Sequence, residues 1–234
     1  MPAKKSKAPI SVVKAVPCAD KNFETAPPQD HPLSMPRGAR ICIVGPVGVG
    51  KSSLIKNELV RSSRFAAVYV IHGAGEHSQE YDIIQPHTKT SFAEASPDYW
   101  AEQTQKHGGQ PLAVVCDDVS IGDCDKKEKS HVYSLMQFCA SHFNITVWMV
   151  AHSWTQLVPR VRRCCNIVHL YPNSVGGSDQ LSYQARSLGM SAPTLARAFS
   201  KCKGQYSFLV IYTGNDVPDG RARIMIDGCT PFEP

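Results

Sequence analysis

The sequence predicts an α/β fold, with a mostly parallel central sheet, helices on both faces and an antiparallel edge at the C-terminus. Three observations predict it. Short β-branched apolar runs alternate with helix-compatible stretches between residues 41 and 201, the pattern of buried parallel strands joined by crossover helices. The first run, residues 41–44, leads into Gly45-Pro46-Val47-Gly48-Val49-Gly50-Lys51-Ser52, a complete G-x-x-x-x-G-K-[ST] phosphate-binding loop that opens a helix. Near the end, two apolar runs separated by turn residues read as an antiparallel pair.

Residues 1–36 carry Pro17, Pro27, Pro28 and Pro32 among lysines and few large apolar side chains. They read as a flexible basic arm, either a solvated leader or a tether to anionic partners, and residues 37–234 read as the folded domain. After the loop, residues 51 to about 61 form the first helix, and the β-branched run 66–71 a buried strand. Ser96 caps a helix that has Pro97 in its first turn and ends near residue 107. Residues 112–116 form the next strand. From 128 to 143, Val132, Leu135, Met136, Cys139 and Phe143 fall at helical spacing, an amphipathic helix laid on the sheet. Residues 145–150 and 166–171 are further strands, and 178–201 is helical with a break at Gly189. The terminal pair is 207–212 and 223–226, joined through Gly214, Asn215, Pro218, Asp219 and Gly220.

With 42% apolar and 19% charged residues in 234, the chain has the composition of a globular domain able to bury a sizeable core. The longest strongly apolar stretch, 145–151, is far too short to span a bilayer, and no apolar run follows the N-terminal lysines. Neither a membrane segment nor a secretion signal is expected, which suggests the cytoplasm or nucleus. Nine cysteines without a C-x-x-C pair read as reduced thiols. Residues 1–40 hold +4 of the net charge of +5, so any grip of the domain on nucleic acid needs a local cluster.

The phosphate loop implies a nucleoside triphosphate, ATP, with Mg²⁺. Gly45, Gly48 and Gly50 free the backbone so that its N–H groups can point at phosphate oxygens, with Pro46, Val47, Val49 and Ser53 completing the cradle. The following helix adds its positive end. Lys51 suits the β- and γ-phosphates, and the Ser52 hydroxyl the metal. Asp117 and Asp118 directly follow the strand 112–116, where one carboxylate can hold Mg²⁺ and its neighbour can orient the attacking water. We assign Asp117 to the metal and Asp118 to the water. One strand, 66–71, lies between the loop strand and the Asp117 strand, an order that suits the RecA-like additional-strand P-loop ATPases. No N-K-x-D or D-x-x-G motif of a GTPase occurs.

The strand 145–151 delivers His152 and Ser153 to the same sheet edge. Two readings stand for His152: a sensor of the γ-phosphate, or a strand-end histidine bonded to backbone. Arg160 and Arg163, within Pro159-Arg160-Val161-Arg162-Arg163, have three readings: a finger donated to a neighbouring subunit's site, contacts to DNA phosphates, or solvated charge. The segment 120–129, with Lys126, Lys127 and Lys129, is either a DNA-gripping loop or a solvated charge run.

Together the phosphate loop, Val114-Val115-Cys116-Asp117-Asp118, the strand 145–153 and the Pro159–Arg163 cluster resemble the poxvirus-type viral genome-packaging ATPases of the FtsK/HerA superfamily. The resemblance covers about residues 38–213. Val70-Ile71-His72 and Glu80-Tyr81-Asp82-Ile83 are similar to the family's segment between the two nucleotide motifs. His152 stands where members usually carry Gln. The resemblance implies an ATP-hydrolysing motor that packages double-stranded viral DNA, acting as a homo-oligomeric ring with viral capsid proteins as partners. It places the protein in the host cytoplasm or nucleus, or on the virion. Two alternatives remain open: a viral replicative helicase-type ATPase, although 66 positions from Lys51 to Asp117 is long for one, and an ATP-binding structural switch without turnover.

Overall fold

The computed structural model describes residues 38–233 apart from 62–63, 74–78, 85–86, 175–176, 214–216 and 218–221. The expected basic arm, and the turn residues Gly214, Asn215, Pro218, Asp219 and Gly220, lie outside the described residues.

Among the described residues, nine strands form one sheet in the order β3-β2-β4-β5-β1-β6-β7-β8-β9. The chain runs through β1 (Arg40–Val44), α1 (Lys51–Arg61), β2 (Ala67–His72), β3 (His87–Lys89), α2 (Pro97–Lys106), β4 (Leu112–Asp117), α3 (Lys126–Ser134), α4 (Ala140–His142) and β5 (Ile145–Ala151). It continues through α5 (Pro159–Cys164), β6 (Ile167–Leu170), α6 (Ser178–Ser187), α7 (Ala192–Lys201), β7 (Leu209–Tyr212), β8 (Ile224–Ile226) and β9 (Thr230–Pro231). Strands β3, β2, β4, β5, β1 and β6 are parallel, and β6 through β9 pair antiparallel.

The apolar runs become strands buried on both faces because alternate side chains feed two separate cores. Cys42, Val44, Val114, Cys116, Val147 and Met149 face one layer, with Trp100 of α2, Val132 of α3, Ala185 of α6 and Leu195 of α7. Ile41, Ile43, Ala113, Val115, Trp148 and Val150 face the other, against Leu54, Ile55 and Leu59 of α1 and against Tyr81 and Ile84. The phosphate-loop helix therefore covers its face with help from the β2–β3 connection, while the remaining longer helices share the opposite face.

Four expectations change. The strand that separates the loop strand from the Asp117 strand in space is β5, which pairs with both β1 and β4; residues 67–72 lie beyond β4. The amphipathic helix begins two residues earlier than the apolar spacing suggests. Asp125 caps it, accepting from the Glu128 N–H at 2.8 Å, and Glu128 returns a bond from the Asp125 N–H at 2.9 Å. Within it, residues Leu135–Cys139 widen into a π turn before α4. Residues 159–164, read as a charged cluster, are a helix with Pro159 in the first turn, which Val161 anchors in the core. Cys42 of β1 and Cys165, just before β6, are paired as a disulfide in the core, against the reading of all nine cysteines as reduced; Cys116, Cys124, Cys139, Cys164, Cys202 and Cys229 are free.

Candidate nucleotide site

Parallel register decides what meets what. Val44 pairs with Ala151, Cys116 with Met149 and His72 with Asp117, so β1, β5, β4 and β2 all end at one sheet edge. Ligands of open α/β sheets bind at that carboxyl edge. The edge collects the phosphate loop after Val44, His152 after Ala151, and the Asp117-Asp118 pair.

Gly48 and Gly50 take φ values of 82° and 89°, which side chains with a Cβ rarely adopt, and so the loop can curl into a cradle. Gly45 serves differently from the expectation. Its φ is not left-handed, and a Cβ there would lie 2.8 Å from the Tyr171 side chain, so this glycine is a close-approach residue. Lys51, only 6% exposed, donates to the Pro46 carbonyl at 2.8 Å across the loop. Burial lowers its pKa, and Asp117, Asp118 and Glu80 partly offset that effect.

Lys51 Nζ also lies 3.4 Å from His152 Nδ1, and His152 Nε2 lies 3.2 Å from Asp118 Oδ1. Lysine has no acceptor, so a hydrogen bond here requires Nδ1 to accept and Nε2–H to donate to Asp118. The ring therefore links the loop lysine to the second aspartate, and its partners are side chains. The backbone N–H groups of His152 and Ser153 both donate to Gln156 Oε1, at 2.7 and 3.1 Å, which fixes the turn that presents the ring.

The two aspartates differ sharply. Asp117 is 5% exposed, and its Oδ2 accepts from Ser52 Oγ at 2.9 Å and from the Tyr81 phenol at 2.6 Å. Asp118 adopts φ 53°, and its side chain is 60% exposed. Ser52 and Asp117 present the hard oxygen donors that Mg²⁺ prefers, bonded to each other beside the phosphate loop, so the residues fit a metal–triphosphate. His72, Glu80 and Asp117 also bring ligand-type atoms within 4.8 Å of one another.

The arginines diverge. Arg160 donates to Gln137 Oε1 at 2.7 Å and stacks over Tyr133, while Arg163 bonds weakly to the Pro159 carbonyl within its own helix; both are exposed and make no bond to the phosphate loop. Arg162 is clamped between the Trp154 and Tyr183 rings and donates to the Tyr183 hydroxyl at 2.6 Å, a packing role. In the 120–129 segment, Lys129 donates to the Gly122 carbonyl at 2.8 Å, while Lys126 and Lys127 are exposed at the start of α3.

Sequence reasoning assigned no role to Tyr81, Lys56, Glu80 or Gln156. Glu80 and Tyr81 lie within the Glu80–Ile83 segment, whereas Lys56 is a lysine of α1 outside the phosphate-loop motif. Gln156 carries no motif of its own.

The fold is that of the RecA-like P-loop ATPases: a mostly parallel sheet with an antiparallel C-terminal edge, helices on both faces, and a glycine-rich loop at the end of the central β1. Among solved structures, it is similar to the DNA-packaging ATPase B204 of Sulfolobus Turreted Icosahedral Virus, at TM-score 0.58 and 14% identity over 85% of this chain and 100% of that one. It is also similar to the genome packaging NTPase B204 of Sulfolobus turreted icosahedral virus 2 in complex with AMPPCP, at TM-score 0.55 and 15% identity over 84% and 100%. The same NTPase in complex with ATP-gammaS gives TM-score 0.53 and 15% identity over 84% and 99%. At these identities the likeness is one of fold. No protein-family model and no curated protein matches the sequence.

Proposed function

We propose that this chain is a Mg²⁺-dependent ATPase that drives double-stranded viral DNA into a capsid. The observation that carries the hydrolytic part is the convergence of Lys51, Ser52, Asp117, Asp118 and His152 at one sheet edge, drawn from α1 and from the ends of β4 and β5. Lys51 leaves Pro46 and His152 to bridge the β- and γ-phosphates. Ser52 and Asp117 would hold the metal, whose charge would neutralise that developing on the phosphates. Asp118, exposed and bonded to His152, orients the attacking water. His152 reports the γ-phosphate, because the Lys51 shift toward phosphate frees Nδ1.

Packaging is supported by the resemblance of the loop, Asp pair and downstream arginines to viral packaging ATPases, and by folds shared with two B204 packaging proteins. In this reading the chain works as a ring. Arg160, on leaving Gln137 and Tyr133, and Arg163, both exposed on α5, reach a neighbouring subunit's phosphates, and the basic 1–36 arm tethers anionic or capsid partners. Among the described residues no helix is long and apolar enough to cross a membrane. Host cytoplasm or nucleus, or the virion, is the corresponding location.

The test is ATP hydrolysis with and without double-stranded DNA across a range of protein concentrations. Turnover per subunit that rises with both supports a ring-forming DNA motor. Turnover indifferent to DNA and to concentration removes the packaging reading and leaves a simple ATPase.

A further inference from the structure

We propose that Tyr81 is the positioning residue of the metal-binding carboxylate: its phenol O–H holds Asp117 in the orientation that, with Ser52, receives the Mg²⁺ of the nucleotide. The proposal rests on the ATPase reading above. Tyr81 lies in the connection from β2 to β3, far from either nucleotide motif in the chain, and is 1% exposed. Its hydroxyl and that of Ser52 converge on the same oxygen, Asp117 Oδ2, at 2.6 and 2.9 Å. Neither donor uses Oδ1, which remains for the ion or its water. Partners behind a metal ligand orient it, and the short Tyr81 bond does so from a side chain that packing has already fixed.

The mounting is specific. The Tyr81 ring packs in the core layer that holds Leu54, Ile55 and Leu59 of α1. Lys56, also on α1, stands 5.9 Å from the ring centroid and is ion-paired with the preceding Glu80 at 3.8 Å. The helix that begins with Lys51 and Ser52 therefore also grips the segment carrying Tyr81, so both donors to Asp117 ride on one rigid unit. An ionised carboxylate can only accept, so the phenol O–H is the donor of this bond.

Tyr81→Phe removes the hydroxyl and keeps the ring. Tyr69→Phe is the control: that buried hydroxyl donates to Gln103 Oε1 at 2.9 Å, in the opposite core layer. For the full chain, binding of a fluorescent ATP analogue and ATP hydrolysis are each titrated with Mg²⁺, alongside thermal melting. The expected result is a rise of about tenfold in the Mg²⁺ needed for half-saturation in Y81F, by both readouts, with none in Y69F. An unchanged Mg²⁺ requirement in a folded Y81F, or an equal rise in Y69F, overturns the proposal. If Y81F melts below the assay temperature, a ring-fluorinated tyrosine at 81 keeps the shape and donates more strongly; its Mg²⁺ requirement must shift, and no shift overturns the proposal. A wild type that binds nucleotide in the presence of Mg²⁺ but does not turn it over leaves the binding titration to decide on Tyr81, whereas one that binds none overturns the ATPase reading and the proposal together.

Discussion

Asp117 and Asp118 are consecutive, yet they belong to two differently built regions. On the Asp117 side everything is closed: the carboxylate is buried, Ser52 and Tyr81 both donate to it, and Lys56 braces the segment that supplies Tyr81. On the Asp118 side the backbone turns left-handed, the side chain faces solvent and its bonded partner is His152. The contrast teaches that the strand end separates two tasks. A metal ligand benefits from rigidity, whereas a group that meets water and a changing phosphate must stay accessible.

The sharpest way to break this comparison is Lys51→Met. Turnover falls to background because the phosphate-bridging charge is gone. Stability should move the other way. Burial depresses the Lys51 pKa from 10.5, so folding disfavours its charged form, and the wild type gains stability only as pH rises through the lowered pKa toward 10.5. Removing the buried ammonium relieves that cost at neutral pH, and a melting midpoint higher by about 2–4 °C corresponds to about 1 kcal/mol. A lower midpoint in calorimetry contradicts it.

Asp118→Asn should cut turnover about a thousandfold while leaving the affinity for Mg²⁺-nucleotide unchanged. Stability separates the two carboxylates again. Asp117→Ala strands the Ser52 and Tyr81 hydroxyls and should cost about 2 kcal/mol in urea unfolding, whereas Asp118→Ala should fall within about 0.5 kcal/mol of wild type.

Much of this was legible beforehand, and the reasons are physical. A phosphate loop needs glycines and a lysine at fixed spacing, so it shows in any chain that has one, and fully buried parallel strands announce themselves as β-branched runs. The three-residue β3 escaped because His87-Thr88-Lys89 has no apolar pattern, being an exposed edge strand. Helix α5 escaped because one buried residue, Val161, anchors six. The position of β5 between β1 and β4 was not readable from strand order along the chain, since crossovers set spatial order. Tyr81 escaped for the same reason. Its partner is 36 positions away, and β2–β4 pairing together with packing of its segment on α1 brings them together.

The smallest expected effect on turnover lies away from the site. His169 on β6 is buried without a bond to Nδ1, and burial lowers its pKa from 6.5 to about 3. Its contribution is complete above pH 6.5 and is lost as pH falls toward 3, because the unfolded chain takes up a proton that the folded one refuses, at about 1.4 kcal/mol per pH unit. His169→Phe should remove one proton from the acid dependence of stability and leave turnover at pH 7.5 unchanged. An identical slope in the variant would remove His169 as the cause.

The most direct test of the divided site compares Asp117→Asn with Asp118→Asn in parallel, measuring Mg²⁺-dependent nucleotide binding and single-turnover ATP hydrolysis on the same samples. The account predicts that Asp117→Asn raises the Mg²⁺ requirement for binding, while Asp118→Asn binds like wild type and fails to hydrolyse. Two variants with the same pattern of loss, in binding or in hydrolysis, would contradict it.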